Sequence, residues 1–79
     1  MTIWNVISHY PVDINGFFGS YTNLALAARD VMCDVKSLDL QILKISSLEN
    51  YCTLVCYDWR NNEEYSYTFI KATVNDICL

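Results

Sequence analysis

Tyr51–Thr73, YCTLVCYDWRNNEEYSYTFIKAT, decides the fold of this chain. Two runs rich in β-branched and aromatic residues, Tyr51–Arg60 and Glu63–Thr73, flank Asn61-Asn62, and asparagine tolerates the positive φ that a tight turn imposes. The stretch predicts a long C-terminal β-hairpin carrying Tyr57, Trp59, Tyr65, Tyr67 and Phe69 around a charged turn. Register decides which rings share a face. A two-residue loop sets Leu54 and Cys56 on the side of Tyr67 and Phe69 and leaves Tyr57 and Trp59 beside Ser66 and Thr68. A three-residue loop flips the parity and gathers all five rings on one side. The first register is the expectation.

Upstream of the hairpin, Leu38–Ser46, LDLQILKIS, alternates as a strand with Leu38, Leu40 and Ile42 on one face and Leu43 and Ile45 on the other. Ser47 to Asn50 is its short connection to the hairpin. Before it comes the chain's helix. Thr22 is placed to cap the free amides at its start, with Tyr21 and Leu26 as a hydrophobic staple, and Leu24, Ala27, Ala28, Val31 and Val35 recur at helical spacing. Asp30 and Asp34 repel one another four residues apart near the end where the helix dipole disfavours anions. The helix is therefore expected to fray by Cys33, unless those two carboxylates answer to a partner.

At the N-terminus, Thr2–His9 sets Ile3, Asn5 and Ile7 against Trp4, Val6 and Ser8, a strand with apolar residues on both faces that Pro11 ends. Asn15-Gly16 is a strong turn signal between Ile14 and Phe17-Phe18 and fits either a small hairpin or a packed loop. Residues 1–79 read as a single small α+β domain: one α-helix packed on a mostly antiparallel four- to five-stranded sheet with a long C-terminal β-hairpin. One helix covers one face. The other carries apolar residues as well, and a contiguous apolar patch there would mark a binding or self-association surface.

A net charge of −4 disfavours docking on phosphate backbones or anionic membranes, since Arg29, Lys36, Lys44, Arg60 and Lys71 form no stripe. No apolar run reaches the ~18 residues of a membrane span, and the first residues lack the basic start and apolar centre of an export signal, so a cytoplasmic location is expected. In that compartment Cys33, Cys52, Cys56 and Cys78 read as free thiols. Cys52 and Cys56 lie about 13 Å apart along a strand, too far to share a metal ion, and Cys78 is the most reactive candidate. His9 stands without a nucleophile motif, and Glu63-Glu64 at a hairpin tip reads as protection against edge pairing. No enzyme, cofactor or metal site is expected.

What remains is binding. Tyr57, Asp58, Trp59, Arg60 and Tyr65 gather at the turn end of the hairpin, and Trp, Tyr and Arg dominate interface hot spots; the same rings could equally hold a small sheet together. With Glu63, Glu64, Asp30 and Asp34 they make up the expected partner-binding set, aimed at a protein or ribonucleoprotein with a basic surface. In size, acidity and lack of catalytic signatures the chain is similar to the small inhibitors that bacteriophages make against bacterial defences, anti-CRISPR proteins among them. That resemblance, carried by no residue motif, implies a steric blocker of a nucleic-acid-binding effector acting in the host cytoplasm. Two alternatives are an immunity or antitoxin protein against a basic toxin, and a single-stranded nucleic-acid platform stacking bases on Tyr57, Trp59, Tyr65 and Tyr67, which the charge disfavours. A homodimer through an exposed strand edge stays open.

Overall fold

The computed structural model describes residues 2–10 and 14–73. Its elements are β1 (Thr2–Tyr10), β2 (Ile14–Tyr21), α1 (Leu24–Ser37), β3 (Gln41–Leu48), β4 (Tyr51–Asp58) and β5 (Glu63–Thr73). The strands form one antiparallel sheet in the order β2-β1-β5-β4-β3, with the helix packed on one face. The α+β class and the long hairpin are as the sequence implies, and the strand number is five. The expected interruption at Pro11 and the Cys78 thiol lie outside the described residues.

Register in the hairpin follows from Leu54 opposite Tyr67, Cys56 opposite Tyr65 and Asp58 opposite Glu63. The faces are those of the expected register, but β4 ends two residues early, at Asp58, while β5 keeps its expected bounds, and Trp59 to Asn62 form a four-residue loop with only Asn62 left-handed, at φ 56°. The extra pair of loop residues preserves parity, so Tyr65, Tyr67 and Phe69 face the helix and Tyr57 faces away. Three of the five rings therefore belong to the core or its border. Tyr67 is fully buried and Phe69 nearly so, among Trp4, Val6, Leu54 and Cys56 of the sheet and Ala27, Val31 and Val35 of the helix. Phe18 meets Tyr67 edge to face, with ring centroids 5.9 Å apart.

Three local expectations are corrected. Asn15-Gly16 is not a turn: both residues lie inside β2, opposite His9 and Ser8. The helix starts one residue later than Thr22 suggests, because Asn23 is extended (φ −151°) and its Oδ1 accepts from the Leu26 amide at 2.9 Å. That shift removes the Tyr21–Leu26 staple frame. And β3 begins at Gln41, since Leu38 caps the helix; a bulge between Ile42 and Lys44 then resets the alternation. Ile42 and Ile45 consequently face the same way, opposite Cys56 and Leu54.

The helix also runs past Cys33 to Ser37. Its end is closed by a complete pair of capping bonds, Leu40 N–H to Val35 O at 3.0 Å and Asp39 N–H to Lys36 O at 3.1 Å, with Asp39 in the left-handed region at φ 54°. The two carboxylates expected to weaken it are each held by a partner from the sheet. Asp34 Oδ2 accepts from the Tyr67 hydroxyl at 2.5 Å, and Asp30 pairs with Arg29 at 3.3 Å and accepts from the Tyr21 hydroxyl. Aspartate at a position that suits glycine is a removable strain. Asp39→Gly is expected to raise stability by about 0.5–1 kcal/mol, read from the urea midpoint, because a residue without Cβ adopts this conformation at no steric cost.

Helix coverage is lopsided. The helix approaches the β1–β2 side of the sheet, and every residue of β3 is exposed. Between α1 and β3 this leaves an apolar groove lined chiefly by Val31, Met32, Ile45, Cys52, Leu54 and Phe69. On the uncovered face, the row Leu48, Tyr51, Ile70 crosses three adjacent strands with each side chain exposed.

Candidate partner-binding site

The β4–β5 tip is held by its own first residue. Asp58 ends β4 on the helix side and is buried, and its carboxylate turns back into the loop. Oδ1 accepts from the Arg60 amide at 3.1 Å, Oδ2 accepts from the Asn61 side chain at 2.8 Å, and the Arg60 guanidinium lies 3.6 Å from Oδ1. This is the local aspartate-to-backbone bonding that stabilises turns. Hydrogen bonds, foremost from Asn61 and then from the backbone of Arg60 and Asn61, hold the Asp58 carboxyl below its ordinary range against the opposing effect of burial; the Arg60 charge adds to them.

Arg60 reaches further. Its Nη2 donates to Leu38 O at 2.7 Å, a carbonyl at the C-terminal end of α1 where the helix dipole favours a cation. The tip is thus tied to the helix end as well as to itself. Out of this stitched loop Trp59 projects, 62% exposed. Glu64, exposed, and Glu63, half-buried, begin the strand after the same loop, and Asp39, exposed, adjoins the carbonyl that Arg60 holds. The tip therefore carries an acidic excess and one unburied indole.

Of the nine residues expected to meet a partner, the structure brings Asp58, Trp59, Arg60, Glu63 and Glu64 together at this tip. Tyr57 pairs with Glu64 and is half-buried on the face away from the helix, so it borders the tip. Tyr65 faces the other way and packs against the core. Asp34 lies under the helix against Tyr67. Asp30 belongs to the opposite end: Tyr21, its partner, pairs with Trp4, which pairs with Lys71. From Glu63 to Lys71 along β5 is about 26 Å at ~3.3 Å per residue, so Asp30 and the tip form no common patch. Burial foremost, then the Asp30 bond and charge, push the Tyr21 hydroxyl pKa up, with Arg29 opposing. Asp39 was missed by the sequence reading; only its contact through Leu38 and Arg60 places it here.

The depressed Asp58 carboxyl has a consequence for pH. A group whose folded pKa lies below its unfolded value, ~3.9 for aspartate, stabilises the fold above that value and loses the contribution as pH falls through the folded pKa. Acidification below the unfolded value of ~3.9 and through the lower folded pKa is therefore expected to release the tip, seen as a new exchange regime at the Arg60 amide. In Asp58→Asn that acid step should be missing.

The remaining reactive groups serve the interior. Burial pushes the Cys56 thiol up, which keeps it protonated and inert, while Cys33 is exposed; Cys33, Cys52 and Cys56 are all unpaired. Among the described residues no three His, Cys, Asp or Glu side chains are grouped to hold a metal ion. His9 lies 3.4 Å from Thr68 Oγ1 on the open face. Among the described residues no helix is long and apolar enough to cross a membrane. No family model, curated protein or solved structure matches the chain.

Proposed function

We propose that the protein is a non-catalytic binder that occupies and blocks a larger macromolecule, and that the β4–β5 tip is the part that docks. The observation that carries this is Trp59: an indole 62% exposed on a loop whose geometry is fixed by Asp58 and Arg60. A large aromatic presented at low conformational cost is what a binding pocket rewards, because little ordering entropy remains to be lost on association. Glu63 and Glu64 after the loop, with Asp39 beside the carbonyl that Arg60 holds, favour a basic partner and discourage acidic ones. The partner class is a protein or ribonucleoprotein with a positive surface.

Within that class the reading is a phage-type inhibitor, an anti-CRISPR-like steric blocker of a nucleic-acid-binding effector in the host cytoplasm. Its support is the small acidic chain with a net charge of −4 and a tip that joins one anchor to acidic neighbours. A few acids and one indole suit a plug for one site better than a decoy imitating a whole nucleic acid. The test is affinity capture with the tagged full chain from cells of its native host, run beside Trp59→Ala. A partner recovered at fixed stoichiometry by the first and lost by the second supports the reading. A partner held equally by both, or multiple turnovers of any substrate by the purified chain, removes it.

A further inference from the structure

The strand β3 stands outside the tip and has its own unused capacity. It is the last strand in the sheet order, so among the described residues no strand lies along its outer edge, and all eight of its residues are exposed. Natural edge strands are usually shielded by charge, proline, bulges or a covering element. Here the bulge falls near the start of β3, between Ile42 and Lys44, and Lys44–Leu48 runs regularly beyond it. Lys44 is the one charge in the strand. Ile42, Leu43, Ile45 and Leu48 are 39%, 52%, 65% and 73% exposed.

We infer that β3 pairs antiparallel with β3 of a second copy of this chain, joining two sheets into one ten-stranded sheet with both helices on the same side. Three observations favour a second copy over a foreign strand. The first is area. With Met32, 42% exposed at the adjoining groove, the aliphatic residues of β3 expose on the order of 500 Å² per copy, so that a pair has at most ~1,000 Å² to cover, the least that a specific interface needs.

The second is charge. Each copy carries −4, yet no acid lies between Leu40 and Leu48, so the contact strip is spared the repulsion that the rest of the surface would impose. The third is self-complementarity. A dyad through Ile45 sets Ile45 against Ile45 of the second copy on the helix side and Lys44 against its Ser46 on the other, which keeps the two lysines from facing one another. The open groove beside Ile45 then receives apolar side chains from the copy across the dyad. Because the regular part of β3, Lys44–Leu48, pairs with Val55–Tyr51 and so runs away from the tip, this inference does not rest on the tip as a docking site.

The test is the mass of the purified full chain under reducing conditions, by sedimentation equilibrium across a range of concentrations. The expected result is a species of two 9.1 kDa chains that dissociates on dilution. Ile45→Lys places two charges against each other at the dyad and should return the mass to one chain, with an unchanged circular dichroism spectrum because the side chain is 65% exposed in the monomer. Glu64→Lys, at the tip, should leave the dimer intact. Wild-type protein that stays at one chain up to its solubility limit overturns the inference and leaves β3 to a foreign strand. A dimer indifferent to Ile45→Lys, or open-ended assembly, overturns it too.

Discussion

Replacing Tyr67 with alanine is expected to leave the chain unfolded at room temperature. Tyr67 lies at the centre of β5, fully buried between β1 and β4 and in contact with Phe18. Truncating a buried aromatic costs about 3–5 kcal/mol, from lost transfer free energy and the cavity left behind. A core of this size seldom supplies more than about 3–5 kcal/mol net, so the loss is comparable to the whole stability. Tyr67→Ala also strips Asp34 of the hydroxyl it accepts from. Tyr67→Phe keeps the ring and gives up the hydroxyl with its bond to Asp34. It should fold and lose about 1 kcal/mol, because the half-buried Asp34 carboxylate can turn to water. Urea titration followed by circular dichroism checks both, and a Tyr67→Ala protein with a wild-type midpoint would show that the core is arranged otherwise.

Trp59→Ala is expected to have the opposite profile, with no measurable change in the thermal midpoint and at least about 2 kcal/mol less affinity for the captured partner, roughly a 30-fold rise in Kd. The stability half of that statement follows from exposure: an indole 62% open to water gives the fold little. The affinity half follows from the fixed loop. Asp58 and Arg60 hold the backbone on either side of Trp59, so truncation removes the anchor without releasing the loop. Calorimetric titration measures the affinity and a melting curve measures the fold. If the variant melts early, Trp59 supports the tip; if affinity is unchanged, the tip is not the docking element.

The contrast between these two rings shows what the sequence could disclose. Alternation in the hairpin put Tyr67 and Phe69 with Leu54 and Cys56, since side-chain period is a property of any strand and survives a change of loop length by two. It also set Tyr65 and Trp59 on opposite faces, but it could not say which of them is buried, because the same residue types serve a core and an exposed tip. Caps and bulges were hidden for a different reason. Thr22 and Asn23 are both good caps, and only the extended backbone at Asn23 selects one. The β3 bulge leaves no mark in QILKIS, so the faces of Ile42 and Ile45 could not be read from alternation. Asp30 and Asp34 looked like a pair turned toward a partner. Their actual partners, Tyr21 and Tyr67, are supplied by strands from opposite ends of the chain.

The bond from Arg60 to Leu38 joins positions 22 residues apart. An isolated hairpin could close its own turn through Asp58, yet the indole would then ride on a loop with nothing behind it. Only after the helix has terminated at Leu38 does the guanidinium find its carbonyl and fix the angle at which Trp59 is offered. If the tip docks as proposed, a pocket shaped for that angle would pass over half-finished chains, and the tether would make recognition double as an inspection of the native state.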